Sequence, residues 1–516
     1  MVMENYVGSS DCKSVITSCC HWKMPPFLTA LFLSICLFTV PAWMNYVDNR
    51  NLDPSAIVFP SSFIASFSTP NRVQNVDPQM QYIHAVEAMF AVTVRLKALL
   101  EMGATTNLLV SPISTTTALA ELLLGARGST REYLLKILTA VDRSEYTREP
   151  TVSEFHLHMG GLIKFLQTSS DYDDSYRLHF ASALFLRPDL SLLPNFRSAA
   201  TDLYGMAVLP TDFSGDPLGS LNKMNHWAAI HTMGTINKVF SHPLPKTTAA
   251  VLTNAIYFKG DWETPFNPRY TITGKFHSSD TRTVDVEFMR GQFDLMYVDS
   301  GRLGCRMISI PYKHSKASMY VILPDVGDLY NIQGFAAGLS VDDTLELISS
   351  LRYASITLVM PKMKLTQTFS IGKALSIFQR QIESGSKEKV FGSGPYLNKM
   401  QGNECAKNDG CNCSRNASTQ NGNYKKVPGE IEYKTFDMSG ASCDDRFRVD
   451  DIIHHVFLEV SEMGTVGAAV SATIVDYIGE FKNFKMDRPF LFFIRHDVTG
   501  TPLFWGTIVD PTNGGE

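Results

Sequence analysis

Residues 459–480 read EVSEMGTVGAAVSATIVDYIGE, and between Glu462 and Asp476 the stretch carries no charge, only small and β-branched side chains with Gly464 and Gly467 among them. It is too apolar for an ordinary solvated loop. Its alanines and glycines also make it a poor core strand, because strands favour larger β-branched and aromatic residues. A segment of this kind has to suit two environments, one outside a core and one within it.

The chain has 516 residues, 44% hydrophobic and 19% charged, enough apolar material for a substantial globular core. Its formal charge of −5 is mild and no window holds a clustered basic surface, which excludes nucleic acid as a partner. Residues 24–42, MPPFLTALFLSICLFTVPA, follow Lys23 with an apolar run from Phe27 to Val40 and end on small residues suited to cleavage after Ala42. That run is shorter than the ~20 apolar residues of a spanning helix. Residues 1–42 therefore read as a signal peptide, and the mature protein as secreted to the extracellular space with no membrane partner after cleavage. Residues 43–80, rich in Pro, Ser and Asn, read as a poorly ordered arm ahead of one domain at 81–516.

Cys12, Cys19, Cys20 and Cys36 would leave with the leader, whereas Cys405, Cys411, Cys413 and Cys443 cluster in one stretch. In an exported chain four clustered cysteines most simply form two disulfides, and three pairings stay open. Cys411-x-Cys413 lacks the ligand gap of common zinc loops and has no neighbouring histidine, so no metal site is expected. Asn412-Cys413-Ser414 and Asn416-Ala417-Ser418 are glycosylation acceptors. From about 384 to 442 the composition shifts to Gly, Asn, Ser and Lys, which marks an insertion within the domain.

Helical spacing begins with Met89, Val92, Leu96 and Leu99, and a second helix follows SPIS with Leu119, Leu122 and Leu123 before GARG stops it. Ile308–Asp325 reads as two strands around a polar turn, with Cys305 at the head of the first as an inert core thiol. Ile356, Leu358 and Met360 alternate as in a half-buried strand, and the stretch from Arg488 to Pro511 is a hairpin turning at Asp497–Thr501. Nucleophile elbow, zincin helix, Walker loop and dinucleotide fingerprint are all absent, so no enzyme and no cofactor is expected. His454 and His455 adjoin on one strand and point to opposite faces, so they cannot address one site together.

Three further stretches carry a resemblance. NFKMDRPFLFFI (483–494), TNAIYFKGDWETPF (253–266) and NLLVSPISTTTALAELLLGARGST (from Asn107) resemble motifs of the serpin family, in family order and at family spacing, over about Val86 to Asn513. The resemblance implies an α+β protein with three β-sheets, about eight or nine helices and an exposed reactive-centre loop. It also implies a monomer that acts as a suicide-substrate inhibitor of a serine endopeptidase, with a noninhibitory carrier, chaperone or binding protein as the alternative.

Residues 459–480 then correspond to the hinge and reactive loop, which on cleavage enters a sheet as a new strand. Entry requires every second side chain to be small or apolar and uncharged, and Thr465, Gly467, Ala469, Ser471, Thr473 and Val475 all are. The resemblance carries the hinge onto Glu462, Gly464, Thr465, Gly467, Ala468 and Ala469. It carries the shutter, which controls sheet opening, onto Ser111, Ser114, Asn225 and His454, and the breach onto Trp262, with Lys362 as ion-pair partner of Glu462. Counting sixteen positions from Glu462 places the scissile bond at Ile478–Gly479, with Tyr477 the nearest rival. Either implies a hydrophobic specificity pocket, elastase-like or chymotrypsin-like. Met463 and Val466 depart from the charged residues that inhibitors carry there, although both should face solvent after insertion.

Overall fold

A computed structural model describes residues 81–100, 106–138, 151–172, 176–325, 332–375, 436–465 and 481–513. Their helices are α1 (Ile83–Leu100), α2 (Pro112–Gly125), α3 (Gly128–Leu138), α4 (Val152–Tyr172), α5 (Pro194–Tyr204), α6 (Pro217–His231), α7 (Ile332–Gly338) and α8 (Val341–Ser350), and residues 371–375 are helical as well. Met89, Val92 and Leu96 form the buried face of α1, as their spacing predicts. The second expected helix starts inside SPIS: Ser111 is the N-cap and accepts the Ser114 N–H, and Pro112 occupies the first turn.

Six strands form one ladder: β2 (Tyr176–Leu186), β3 (Ala207–Pro210), β4 (Ala250–Asp261), β10 (Met363–Ser370), β11 (Asp451–Val460) and β12 (Gly464–Thr465). The order is β10-β11-β4-β2-β3, with β12 paired to β4. β10–β11, β4–β2 and β12–β4 are antiparallel, whereas the edge pair β2–β3 is parallel and, inside the ladder, β11 and β4 run parallel from Asp451↔Val251 to Val456↔Ile256. Beyond Val456 and Ile256 these two strands part. Phe457–Val460 keep their pairing with β10, and Tyr257–Gly260 keep theirs with β2. At the far end of this divide Gly464 and Thr465 pair antiparallel with Asp261 and Gly260.

The two faces of this ladder have different covers. Leu252, Ile256, Val456 and Leu458 join Leu119, Leu122 and Leu123 of α2 in the main core. Ala183, Val251, Ala255, Ile453 and Phe457 pack instead with Met224, Trp227 and Ala228 of α6. Side chains alternate along a strand, so each residue's parity decides which helix it meets.

Nine strands make the second ladder: β1 (Leu108–Val110), β5 (Ile272–His277), β6 (Thr283–Ser300), β7 (Cys305–Pro311), β8 (Ala317–Pro324), β9 (Arg352–Pro361), β13 (Lys482–Lys485), β14 (Phe490–His496) and β15 (Thr501–Ile508). Where three sheets were expected, backbone pairing among the described residues gives two ladders, because the 18-residue β6 pairs with β5 at one end and β7 at the other. Cys305 is fully buried and its thiol is pushed up to about 12 by that burial and by Asp325, which keeps it protonated.

The insertion expected over 384–442 extends too far. Residues 436–442 belong to the folded body: Met438 and Ala441 are core residues, Arg127 N–H donates to Asp437 O at 2.9 Å, and Leu193 N–H donates to Ala441 O at 2.8 Å. A Cβ on Gly125 would lie 2.6 Å from that of Ala441, so the end of α2 is shaped to receive this segment. A polar composition hid the boundary, since Met438 and Ala441 are its only fully buried apolar side chains. Cys405, Cys411, Cys413, Asn412 and Asn416 lie outside the described residues, as do residues 1–80; Cys443 is exposed.

Candidate functional site

The chain turns into the divide between β4 and β11 through Ser461 and Gly464, whose backbones exchange hydrogen bonds of 2.9 and 3.2 Å. Gly464 has φ +141°, and a Cβ there would lie 2.1 Å from Gly260 O, so only glycine allows this approach. Trp262 holds the turn from one side: its N–H donates to Met463 O at 2.9 Å and its Nε1–H to Ser461 O at 3.0 Å. Its ring stacks on Tyr312 at 4.7 Å, and the Tyr312 hydroxyl lies 2.8 Å from Thr465 Oγ1. Thr465 is wholly buried, and Met463 is only 7% exposed, so in this state Met463 faces the interior. Met463 stands two residues before Thr465 and along a strand shares the face of the entering set, so the expectation that it faces solvent does not hold for it.

Glu462 and Lys362 meet, with Nζ 3.4 Å from Oε1, and Lys362 also lies 3.3 Å from Glu287. Glu462 Oε1 further accepts from the Thr271 hydroxyl at 2.8 Å. Burial opposes ionisation of Glu462, but Thr271, the backbone and Lys362 together outweigh it and hold the carboxyl below its usual value. Burial likewise opposes charge on Lys362, and the two glutamates outweigh it in the other direction.

Deeper in the ladder a second constellation crosses three strands. Ser182 of β2, Asn254 of β4 and His454 of β11 occupy one cross-strand row. Partners in such a row share a face, and this one faces α2. His454 Nε2 accepts the Ser111 N–H at 3.1 Å, and its Nδ1 lies 3.2 Å from Ser114 Oγ. A neutral imidazole that accepts at Nε2 carries its proton on Nδ1, so Nδ1–H donates to Ser114. Burial, with His455 beside it, pushes His454 down to about 3, so the ring is neutral at physiological pH. Asn254 Nδ2–H donates to Ser114 O at 3.4 Å, and Ser182 Oγ lies 3.3 Å from Asn254 Oδ1. One turn of α2 therefore touches β4 and β11 at once, across their parallel junction.

Asn225 does not belong here. It lies on α6, which covers the opposite face of the ladder, and its carboxamide binds the backbone of Val239 and Phe240 at 2.8 to 3.0 Å. The amide beside His454 is Asn254. The sequence held a signal for it: TNAIYF sets one carboxamide in an apolar strand, and a buried amide needs partners. His455 faces away from His454 and meets the Thr368 hydroxyl. Ser182 and Glu121 were also missed. Gly467, Ala468, Ala469, Tyr477, Ile478 and Gly479 lie outside the described residues. Their flanks are placed: Thr465 ends at β4, and Lys482–Lys485 pair parallel with β9, Phe484 fully buried.

A family model described as Serpin (serine protease inhibitor) matches residues 87–381 and 431–511. The chain is 28% identical over 429 residues to Serine protease inhibitor 28Dc of Drosophila melanogaster, covering 78% of this chain and 75% of the relative. It is 28% identical over 421 residues to the Leukocyte elastase inhibitor of Xenopus laevis, covering 80% and 96%. Among solved structures, mouse protein-Z dependent protease inhibitor matches with a TM-score of 0.64 at 20% identity, over 84% of this chain and 99% of that one. Thyroxine-binding globulin in complex with thyroxine matches with a TM-score of 0.63 at 22% identity, over 83% and 99%.

Proposed function

The chain belongs to the serpin family, and on that premise we propose that it is a secreted inhibitor of a serine endopeptidase that acts by taking its own cleaved loop into the six-stranded ladder. The family is one of protease inhibitors and not of enzymes. The observation that carries the reading is the parallel β11–β4 junction with β12 already lying antiparallel to β4 at its open end.

Parallel pairing is slightly less stable per residue than antiparallel pairing. Parting β4 from β11 and seating a strand that runs opposite to both would exchange one parallel ladder for two antiparallel ones. The register begun by Thr465↔Gly260 supports this. Continued residue by residue, it would set Gly467, Ala469, Ser471, Thr473 and Val475 opposite Phe258, Ile256, Asn254, Leu252 and Ala250. Those partners face α2 and the main core, so the side chains that enter are the small uncharged set. On the order of a dozen added backbone hydrogen bonds, each worth about 1 kcal/mol net, favour the inserted state by about 10 kcal/mol. The intact loop is tethered at both ends, and cleavage releases one.

In this reading the protease serine attacks the Ile478 carbonyl, Gly479 leaves as the new amine terminus, and the ester to Ile478 is carried along with the entering strand. Deacylation needs a preorganised oxyanion site, which translocation distorts. The target has a hydrophobic pocket, elastase-like for Ile478 or chymotrypsin-like for Tyr477. Incubation with elastase-like, chymotrypsin-like and trypsin-like proteases tests this. The expected result is a covalent complex that survives boiling in detergent, with a released fragment beginning at Gly479. Proteases that cut the loop and depart would overturn inhibition in favour of a carrier or binding role.

A further inference from the structure

Glu121 sits in the middle of an apolar run of α2, only 1% exposed, seven residues from Ser114 and so on the same face of the helix. Its Oε2 lies 2.8 Å from the Ser182 hydroxyl, while its Oε1 has no hydrogen-bond partner. Ser182 has a second acceptor, Asn254 Oδ1, at 3.3 Å. A hydroxyl carries a single proton. If Glu121 is ionised, Ser182 gives that proton to the carboxylate, Asn254 Oδ1 goes without it, and a charge is left buried. If Glu121 is protonated, its own O–H donates to Ser182 Oγ, and Ser182 turns its hydrogen to Asn254. The chain then runs unbroken from Glu121 through Ser182 and Asn254 to Ser114 and His454, spanning β2, β4 and β11.

We propose that Glu121 is a protonation-controlled latch on the β4–β11 junction: its proton completes the chain that ties α2 to both sides, and loss of that proton shortens the life of the closed sheet. This rests on the strand-uptake reading above. The N-terminal turn of α2 grips β11 through His454, and Ser114 O and Glu121 grip β4 and β2, so parting the strands must break one grip. An ionised Glu121 weakens the second, because a buried charge gains from the hydration that opening allows.

The surroundings give the carboxylate little support. Burial raises Glu121 to about 8, against the opposing pull of Ser182 and Asn254. From α5, Tyr204 feels the Glu121 charge; its hydroxyl lies 2.5 Å from His156 Nδ1 of α4, a ring that burial and Arg131 keep neutral. From β11, His454 is neutral too. The unfolded carboxyl titrates near its ordinary 4.5, so between 4.5 and about 8 the folded chain holds a proton the unfolded chain has lost, and stability falls as pH rises through that window.

The test is uptake of a synthetic peptide of residues 465–476 by the full-length protein at pH 6 and pH 9. Wild type should take up the peptide about tenfold faster at pH 9, the ratio that one pK unit of difference between closed and opening states produces. Glu121→Gln, whose amide can donate to Ser182 as the acid does, should be slow at both. Ser182→Ala, which breaks the chain whatever the proton does, should be fast at both and serves if the first variant fails to fold. Equal pH slopes in wild type and Glu121→Gln, or a slow Ser182→Ala at pH 6, would overturn the latch and leave strand uptake standing. No uptake by any form at either pH would overturn both.

Discussion

The two sides of β4 are held in opposite ways. Towards β2 it runs antiparallel in full register from Leu186↔Ala250 to Tyr176↔Gly260. Towards β11 it runs parallel, the pairing stops at Val456↔Ile256, and among the described residues the space beyond is entered by Gly464 and Thr465. The first side is a continuous ladder. The second is a junction closed at one end and started at the other, held between by a few buried polar groups of α2. Among the described residues the other parallel pair, β2–β3, lies at the sheet edge, so the β4–β11 seam is the internal place where a strand can be added, and the uncharged stretch begins there.

The largest effect should come from blocking the seam. Thr465→Arg puts a charge where exposure is zero and every neighbour is committed. Yield of detergent-stable protease complex should fall at least tenfold while cleavage of the loop continues; an undiminished yield would break the contrast between the two sides. Removing the polar closure comes next. His454→Ala leaves the Ser111 N–H and the Ser114 hydroxyl without their partner, which should cost about 2–4 kcal/mol in denaturant unfolding and speed peptide uptake.

Acid attacks the same residue. Burial depresses His454 to about 3 from an ordinary 6.5, so its contribution is complete above pH 6.5. Below that the unfolded state binds a proton the folded state refuses, and stability should fall as pH drops from 6.5 towards 3. Urea midpoints across that range should fall less steeply in His454→Ala, after allowance for the variant's lower baseline.

The two asparagines sharpen the comparison further. Asn254→Ala and Asn225→Ala each remove buried or half-buried amide bonds worth about 1–2 kcal/mol. Only Asn254→Ala should also change the rate of peptide uptake, because Asn225 acts on the far face, through Val239 and Phe240. The smallest effect belongs to Lys362→Ala. Lys362 is one-third exposed and its pairs with Glu462 and Glu287 exceed 3 Å, so stability should change by about 1 kcal/mol or less, with a reduced dependence on salt.

Elements with a clear period were legible in the sequence: the buried face of α1, the paired strands around residues 312–316, the alternation in β9 and the hairpin at 497–501. The Glu462–Lys362 contact followed from the family resemblance, and the fitness of Thr465 for burial from its small uncharged side chain. What could not be read was register. Asn225 and Asn254 are equally polar letters, and only strand pairing shows that Asn254 stands beside His454 while Asn225 rides a helix on the other face. Glu121 was missed for a related reason. In a run of leucines a lone glutamate suggests a solvated edge of the helix, and its burial depends on Ser182, 61 residues away in sequence. The end of the insertion was hidden because residues 436–442 fold through backbone hydrogen bonds that composition does not reveal.

Strand entry draws on energy held back by the seam. Cleaving the loop after Ile478 or Tyr477 and comparing thermal unfolding of nicked and intact protein measures it directly. Uptake worth about 10 kcal/mol should raise the melting temperature of the nicked form by roughly 10 °C. A nicked protein that melts where the intact one does would mean that no strand entered between β4 and β11.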